Sequence, residues 1–268
     1  EPRMPAPPPP INLDDWAAPA SPRSTGPTGT TDAQAAGLFS ALDPRNALRL
    51  FSVYQMKDRA GLVGIQGIAP LLRDLLAATA GPATPIHVLG HSYGCKVMLS
   101  AICEPTPLPR PVSSLLLLQP AVSHLCFADS VPGVDRPGGY VAALQAERVK
   151  PPLFSTYSRR DFALHDTFHL ALRRDGDLGE QDIGLAAAGE DTSAGRPPSR
   201  FAALGGYGPR RAHQYLVDPM PRTGELYPDA PTGTAIVSLD GSAPGLIEAH
   251  GDIRDPNCAW ALHRLIFR

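Results

Sequence analysis

Pro85-Ile86-His87-Val88-Leu89-Gly90-His91-Ser92-Tyr93-Gly94-Cys95-Lys96-Val97 is the stretch that decides the fold. Residues 85–89 are short and apolar enough for a strand, and Val97, Met98, Leu99 and Ile102 then recur at the spacing of one helix face. Between them, Gly90-His91-Ser92-Tyr93-Gly94 sets glycines two residues either side of a serine. Glycine carries no Cβ, so strand and helix can approach closely while the serine sits on a strained turn and projects from the backbone. A serine hydroxyl needs both that projection and a base to become a nucleophile. The helix beginning there aims backbone N–H groups and a positive dipole end at the hydroxyl, which nominates the Tyr93 N–H as an oxyanion donor. Ser92 is the nominated nucleophile; the plainer alternative is a structural strand-to-helix turn.

Outward from this turn, strands and helices alternate. Residues 47–56 read as a strand, and Ile65, Ile68, Leu71, Leu72, Leu75 and Leu76 as the face of a following helix ended by Gly81-Pro82. Residues 112–119 form a nearly continuous apolar run of strand length, as expected of a parallel strand covered on both faces. A helix is expected within 140–149, a strand over 153–158, a helix over 162–172, a strand over 235–239 and a closing helix over 259–266. Such alternation predicts an α/β domain with a doubly wound, mostly parallel sheet between helices. Residues 1–31, crowded with Pro, Ala, Gly, Ser and Thr, read as a tail, linker or loop ahead of a domain over 32–268. Residues 173–233 are rich in breakers and read as an irregular insertion.

Composition narrows the function. With 24 basic and 26 acidic residues in 268, the chain lacks the basic surface that nucleic-acid binding requires, so no nucleic-acid partner is expected. The longest apolar run, around residues 115–118, is far short of the roughly 20 residues that span a bilayer, so no transmembrane segment is expected. Cys95, Cys103, Cys126 and Cys258 lack metal-type pairing and read as buried free thiols. His124, His165, Asp166 and His169 show no known ligand spacing, and no metal or other cofactor is expected.

The turn, residues 85–97 as quoted, followed by Leu115-Leu116-Leu117-Leu118-Gln119, resembles the α/β-hydrolase family and is similar to its bacterial members. The resemblance covers about residues 47–268. It implies a serine hydrolase whose chain order is nucleophile, acid, histidine. Asp161 follows the strand at 153–158 and His250 follows the strand at 235–239, so the resemblance assigns Asp161 as the orienting acid and His250 as the base. Asp166 and Asp240 compete for the acid's place, and His263 and His213 for the base's; His87 and His91 read as core or supporting groups. The substrate class implied is a carboxylic ester, with thioesters and amides less favoured. Residues 121–149 lie where relatives carry a lid, and Cys126, Phe127, Val131, Val134 and Tyr140 would then wall a hydrophobic substrate site; an ordinary connection is the alternative.

The resemblance also calls for a strand upstream of 47–56, ending in a loop that donates the second oxyanion N–H. No convincing strand lies in residues 1–31, so a preceding segment or a separate chain is expected to complete the sheet. That gap leaves a rival from another class, a hydrolase-like module that binds without turnover.

Overall fold

A computed structural model describes residues 55–78, 84–134, 136–171, 179 and 200–267. Five strands, β1 (His87–His91), β2 (Ser114–Leu118), β3 (Leu153–Tyr157), β4 (Gln214–Val217) and β5 (Ile236–Asp240), form one all-parallel sheet in the order β1-β2-β3-β5-β4. The helices are α1 (Gln55–Ala78), α2 (Tyr93–Ile102), α3 (Phe168–Ala171, continuing a π-helical stretch Ala163–Thr167), α4 (Leu204–Tyr207) and α5 (Pro256–Ile266). The protein is therefore of the α/β class.

Side chains on a strand alternate faces, and every side chain of β2 is buried, so both faces must be covered. Leu115 and Leu117 pack with Leu72 and Leu76 of α1 and Cys95, Leu99 and Ile102 of α2. Leu116 and Leu118 pack instead with Cys258, Ala261 and Leu265 of α5. Fully burying each such leucine contributes about 1.5–3 kcal/mol, which makes this strand the main anchor of both cores. α5 starts cleanly because the Asp255 carboxylate accepts the Asn257 N–H at 2.7 Å and Pro256 occupies the first turn.

Several expectations are met with shifts of a residue or two at the ends: the strands at 85–89, 112–119, 153–158 and 235–239, and the helices after the turn, over 162–172 and at the C-terminal end. Others are corrected. Gln55 and Met56, expected at the end of a strand, are the first residues of α1; residues 47–54 lie outside the described residues, as do 1–46 with the tail and the search for an upstream strand. The helix expected within 140–149 is a single 3-10 turn, Val141–Leu144, because Gly138-Gly139 and buried Tyr140 hold the chain against the core instead. The breaker-rich stretch contains an ordered edge strand, β4, together with α4; four residues with an exposed-to-intermediate pattern at their start were too short to signal it. Within 121–149, Cys126, Phe127 and Tyr140 are fully buried in the α2 side of the core, and Val131 lies in a smaller cluster.

By length and composition α1 is apolar enough to cross a membrane, with a window of mean hydropathy 1.3, a property hidden in the sequence by interrupting charges such as Asp58, Arg59 and Arg73. Its inner face belongs to the core: Leu72 and Leu76 are buried, and the chain widens into π-helical turns over Val63–Ile68, where Gly64 lies against α2. A Cβ on Gly64 would stand 2.5 Å from the Val97 carbonyl oxygen, so that helix pair requires glycine there.

The two glycines of the turn are not equivalent. A Cβ on Gly90 would come within 2.7 Å of the Cys95 Cα, whereas one on Gly94 meets nothing within 4 Å. Gly90→Ala is therefore expected to lower unfolding stability by about 1–3 kcal/mol through overpacking against backbone. Gly94→Ala, within a helix, should change it by less than about 1 kcal/mol. Urea denaturation midpoints of the two variants check the contrast, and equal losses would contradict it.

Candidate active site

Ser92 joins β1 to α2 with φ 54° and ψ −127°, a conformation that side chains beyond glycine rarely adopt. Strain of this kind costs about 1–3 kcal/mol and persists only where surrounding bonds over-determine the backbone. Here the Ser92 N–H donates to the Leu118 carbonyl at 3.1 Å, and the Ser92 carbonyl accepts from the N–H groups of Cys95 at 3.1 Å and Ala121 at 3.2 Å. The nucleophile candidate is thus pinned to the end of β2 as well as to its own helix.

Because all strands run parallel, their carboxyl ends share one edge, and the residues following them gather there. His250, on the loop after β5, places Nε2 2.8 Å from the Ser92 Oγ and Nδ1 2.8 Å from Asp161 Oδ2. A carboxylate only accepts, so Nδ1 carries the proton, and Nε2 is left to accept the hydroxyl's hydrogen. Asp161 is fully buried; its other oxygen accepts the Leu164 N–H at 3.0 Å, which fixes the carboxylate at the start of the helical segment that follows it. His250 retains 27% side-chain exposure, so the chain of bonds runs from the interior to the solvent-accessible surface. Chemically, this arrangement can draw the proton from Ser92 and shelter the resulting imidazolium beside a buried anion.

Tyr93 is the first residue of α2, placing its backbone N–H in the turn where helix donors lack intrahelical acceptors. Its side chain packs against Ala121, Leu164, Phe168 and Ala203, which orients the peptide at the Ser92–Tyr93 junction. The upstream loop expected to give a second donor falls outside the described residues.

The competing residues lie elsewhere. The buried carboxylate of Asp240 accepts from Tyr157 Oη at 3.0 Å, Arg159 at 3.0 Å and the Ser242 N–H at 2.8 Å, with no bond to His250. Burial pushes its pKa up, but these bonds, led by that from Ser242, outweigh it and hold the group below its usual value. Asp166 is half-exposed beside His165, whose ring stacks on Tyr207 at 4.3 Å. His263 on α5 stacks on Trp260 and meets Phe267, just beyond the helix end, at a tilt, and His213 is exposed ahead of β4. His87 bonds Ser114 Oγ at 2.7 Å within the sheet. His91, by contrast, belongs to the site: its Nε2 donates to the His250 carbonyl at 2.8 Å, and the ring centroids are 4.9 Å apart. Burial, then the charge of neighbouring His250, lowers its pKa, so it favours the neutral form.

Gln119 and Ser158 escaped sequence analysis as site residues. Both directly follow strands and are fully buried at the shared edge, and Gln119 carries a positive φ of 42°. No periodicity marks such positions; only their place immediately after an apolar strand would have drawn attention. All four cysteines are buried and none forms a disulfide, and burial raises the pKa of Cys103 to about 12, so that thiol is not a rival nucleophile. No group of three or more metal-type ligands occurs among the described residues. Two clefts, of about 300 Å³ beside Tyr157 and Arg210 and about 400 Å³ beside Trp260 and Phe267, are lined by neither Ser92 nor His250. Comparison with protein-family descriptions, curated proteins and solved structures finds no match.

One histidine beyond the site links stability to pH. His124 is buried, its Nδ1 without a hydrogen bond, and burial followed by the Arg210 charge lowers its pKa from 6.5 to about 4. Between those values the unfolded chain binds a proton that the folded chain refuses. Folding stability should therefore fall as pH drops through that window, by at most about 1.4 kcal/mol per pH unit from this group, and level off below it. Urea unfolding across the window checks this, with His124→Gln expected to flatten the slope; an unchanged slope in the variant would show that His124 is not the cause.

Proposed function

We propose that this chain is a serine hydrolase of the α/β-hydrolase type, with a doubly wound sheet, that cleaves carboxylic esters through an acyl-enzyme on Ser92. One observation carries this: the Ser92 hydroxyl, the His250 imidazole and the buried Asp161 carboxylate form a continuous hydrogen-bonded chain, 2.8 Å at each link, with the serine on a strained turn at a helix N-terminus. The chain order serine, aspartate, histidine agrees with the resemblance carried by residues 85–97 and 115–119.

In this mechanism the Ser92 Oγ attacks the ester carbonyl carbon while its proton passes to His250 Nε2. Negative charge develops on the carbonyl oxygen, toward the Tyr93 N–H and the positive end of α2. The intermediate then collapses: the bond to the alcohol oxygen breaks, and that oxygen takes the proton from His250. Water repeats the sequence at the acyl carbon, giving its proton to His250 and releasing the acid and the restored Ser92 hydroxyl. Asp161 holds the tautomer with hydrogen on Nδ1 and stabilises the imidazolium at each proton transfer. Esters are favoured over amides because an alcohol departs more readily than an amine.

The test is covalent labelling by a fluorophosphonate. The folded chain should label at Ser92, Ser92→Ala should not label, and Asp161→Asn should slow the reaction by about 10⁴-fold, the scale expected when the wrong tautomer is favoured. A folded protein that takes no label would instead make this a hydrolase-like binding module.

A further inference from the structure

His250 lies on a loop, residues 241–251, and a loop is only as well placed as the bonds that hold its backbone. Three of its carbonyls each accept a side-chain hydrogen bond from a different strand end. Ser158 Oγ donates to Ile247 at 2.7 Å, Gln119 Nε2 to Ala249 at 2.8 Å and His91 Nε2 to His250 at 2.8 Å. Ser158 follows β3, Gln119 follows β2, and His91 is the last residue of β1, three strands adjacent in the sheet. The loop is thus laid across the sheet edge and reaches residue 250 at the strand that delivers Ser92.

We propose that His91 and Gln119 are positioning residues for the chemistry at Ser92: by gripping the carbonyls of residues 249 and 250 they set the imidazole against the hydroxyl. This rests on the serine-hydrolase proposal and extends it to two residues that touch neither substrate nor reacting atoms. A carbonyl only accepts, so His91 must carry its proton on Nε2, and its ring, tilted 37° to that of His250, limits how far the imidazole can swing. Gln119 is committed at a cost. It is fully buried with φ 42°, its N–H is taken by Thr156 Oγ1 at 2.9 Å, and its Oε1 is left without a partner. An unsatisfied buried carbonyl on a strained residue needs an explanation, and the bond to Ala249 supplies one. Ser158 is less diagnostic because its Oγ also accepts the Arg160 N–H at 3.1 Å, so replacing it disturbs the turn that leads to Asp161 as well.

The experiment uses the full chain as wild type, His91→Leu, His91→Gln and Gln119→Met, the last of nearly the same shape as glutamine. Two quantities are read: the limiting rate of fluorophosphonate labelling with its half-saturating concentration, and the downfield NMR resonance of the His250 Nδ1 proton shared with Asp161. His91→Leu and Gln119→Met should each slow limiting labelling by about 10- to 100-fold, the scale of a misplacement near 1 Å, while half-saturation moves by less than about threefold. The resonance should broaden or move upfield in both. His91→Gln, whose amide N–H reaches a similar point, should restore most of the rate. The double variant should lose less than the product of the single losses, since both act through one loop. Wild-type rates in His91→Leu and Gln119→Met would overturn the positioning role and leave the hydrolase proposal intact. A wild type that does not label would overturn the hydrolase proposal itself. In that case an unchanged resonance in both variants overturns the positioning role as well, and a displaced one upholds it.

Discussion

A serine held at φ 54° is the constraint from which the rest of the site is built. Left to itself the residue would relax to a helical or extended conformation and turn its hydroxyl toward one of the two packed faces. Three backbone hydrogen bonds, to Leu118, Cys95 and Ala121, prevent this, and Gly90 permits it by letting β1 pass within contact distance of Cys95. These bonds tie the turn to β2, the strand whose leucines anchor both cores. Strain at Ser92 is thereby borne by the best-packed part of the molecule, which is the condition under which such strain persists.

Parallel strands convert this local constraint into a site. Ser92, Asp161 and His250 are separated by up to 158 positions, yet each follows a strand of the same sheet, so each emerges at the same edge. Placement after a strand is not sufficient, however. Tyr157 and Asp240 are paired residues at the ends of β3 and β5, and they bond to one another, with Arg159 and Ser242 taking the remaining acceptor capacity of the carboxylate. Asp161 stands four residues further along the chain than Tyr157, beyond the strand end, where one oxygen caps the following helical segment and the other is free to meet His250. The difference between a structural and a site carboxylate here is which donors reach it first.

Much of this was legible in the sequence because it is local. The glycine-serine-glycine turn, the leucine run of β2 and the apolar periodicity of α1 and α2 each carry their own signal, and the structure places them as expected. What failed was governed by partners or neighbours outside the stretch being read. β4 forms because β5 offers an edge, not because Gln214-Tyr215-Leu216-Val217 is a strong strand. The end of the expected strand at 47–56 became helix because Gln55 and Met56 join the long apolar periodicity that follows. Among the carboxylates, Asp161 and Asp240 both lay close to strand ends, and spacing alone gave no way to see that Arg159 and Tyr157 would occupy the second.

Gln119 and His91 show the limit most clearly. A side chain bonded to a carbonyl 130 or 159 positions away leaves no pattern, since the acceptor is backbone and every residue has one. Yet the consequence for the site is large. His91 and Ser92 are consecutive residues, one bonded to the carbonyl of His250 and the other to its imidazole. Any displacement of the turn therefore carries with it the anchor of the imidazole bonded to it, so Ser92 and His250 are tied together through adjacent residues. For the proposed proton transfer, an imidazole held only by Asp161 would keep its tautomer but not its distance; a tether through the residue beside the serine would maintain that distance, on which such a transfer depends most steeply.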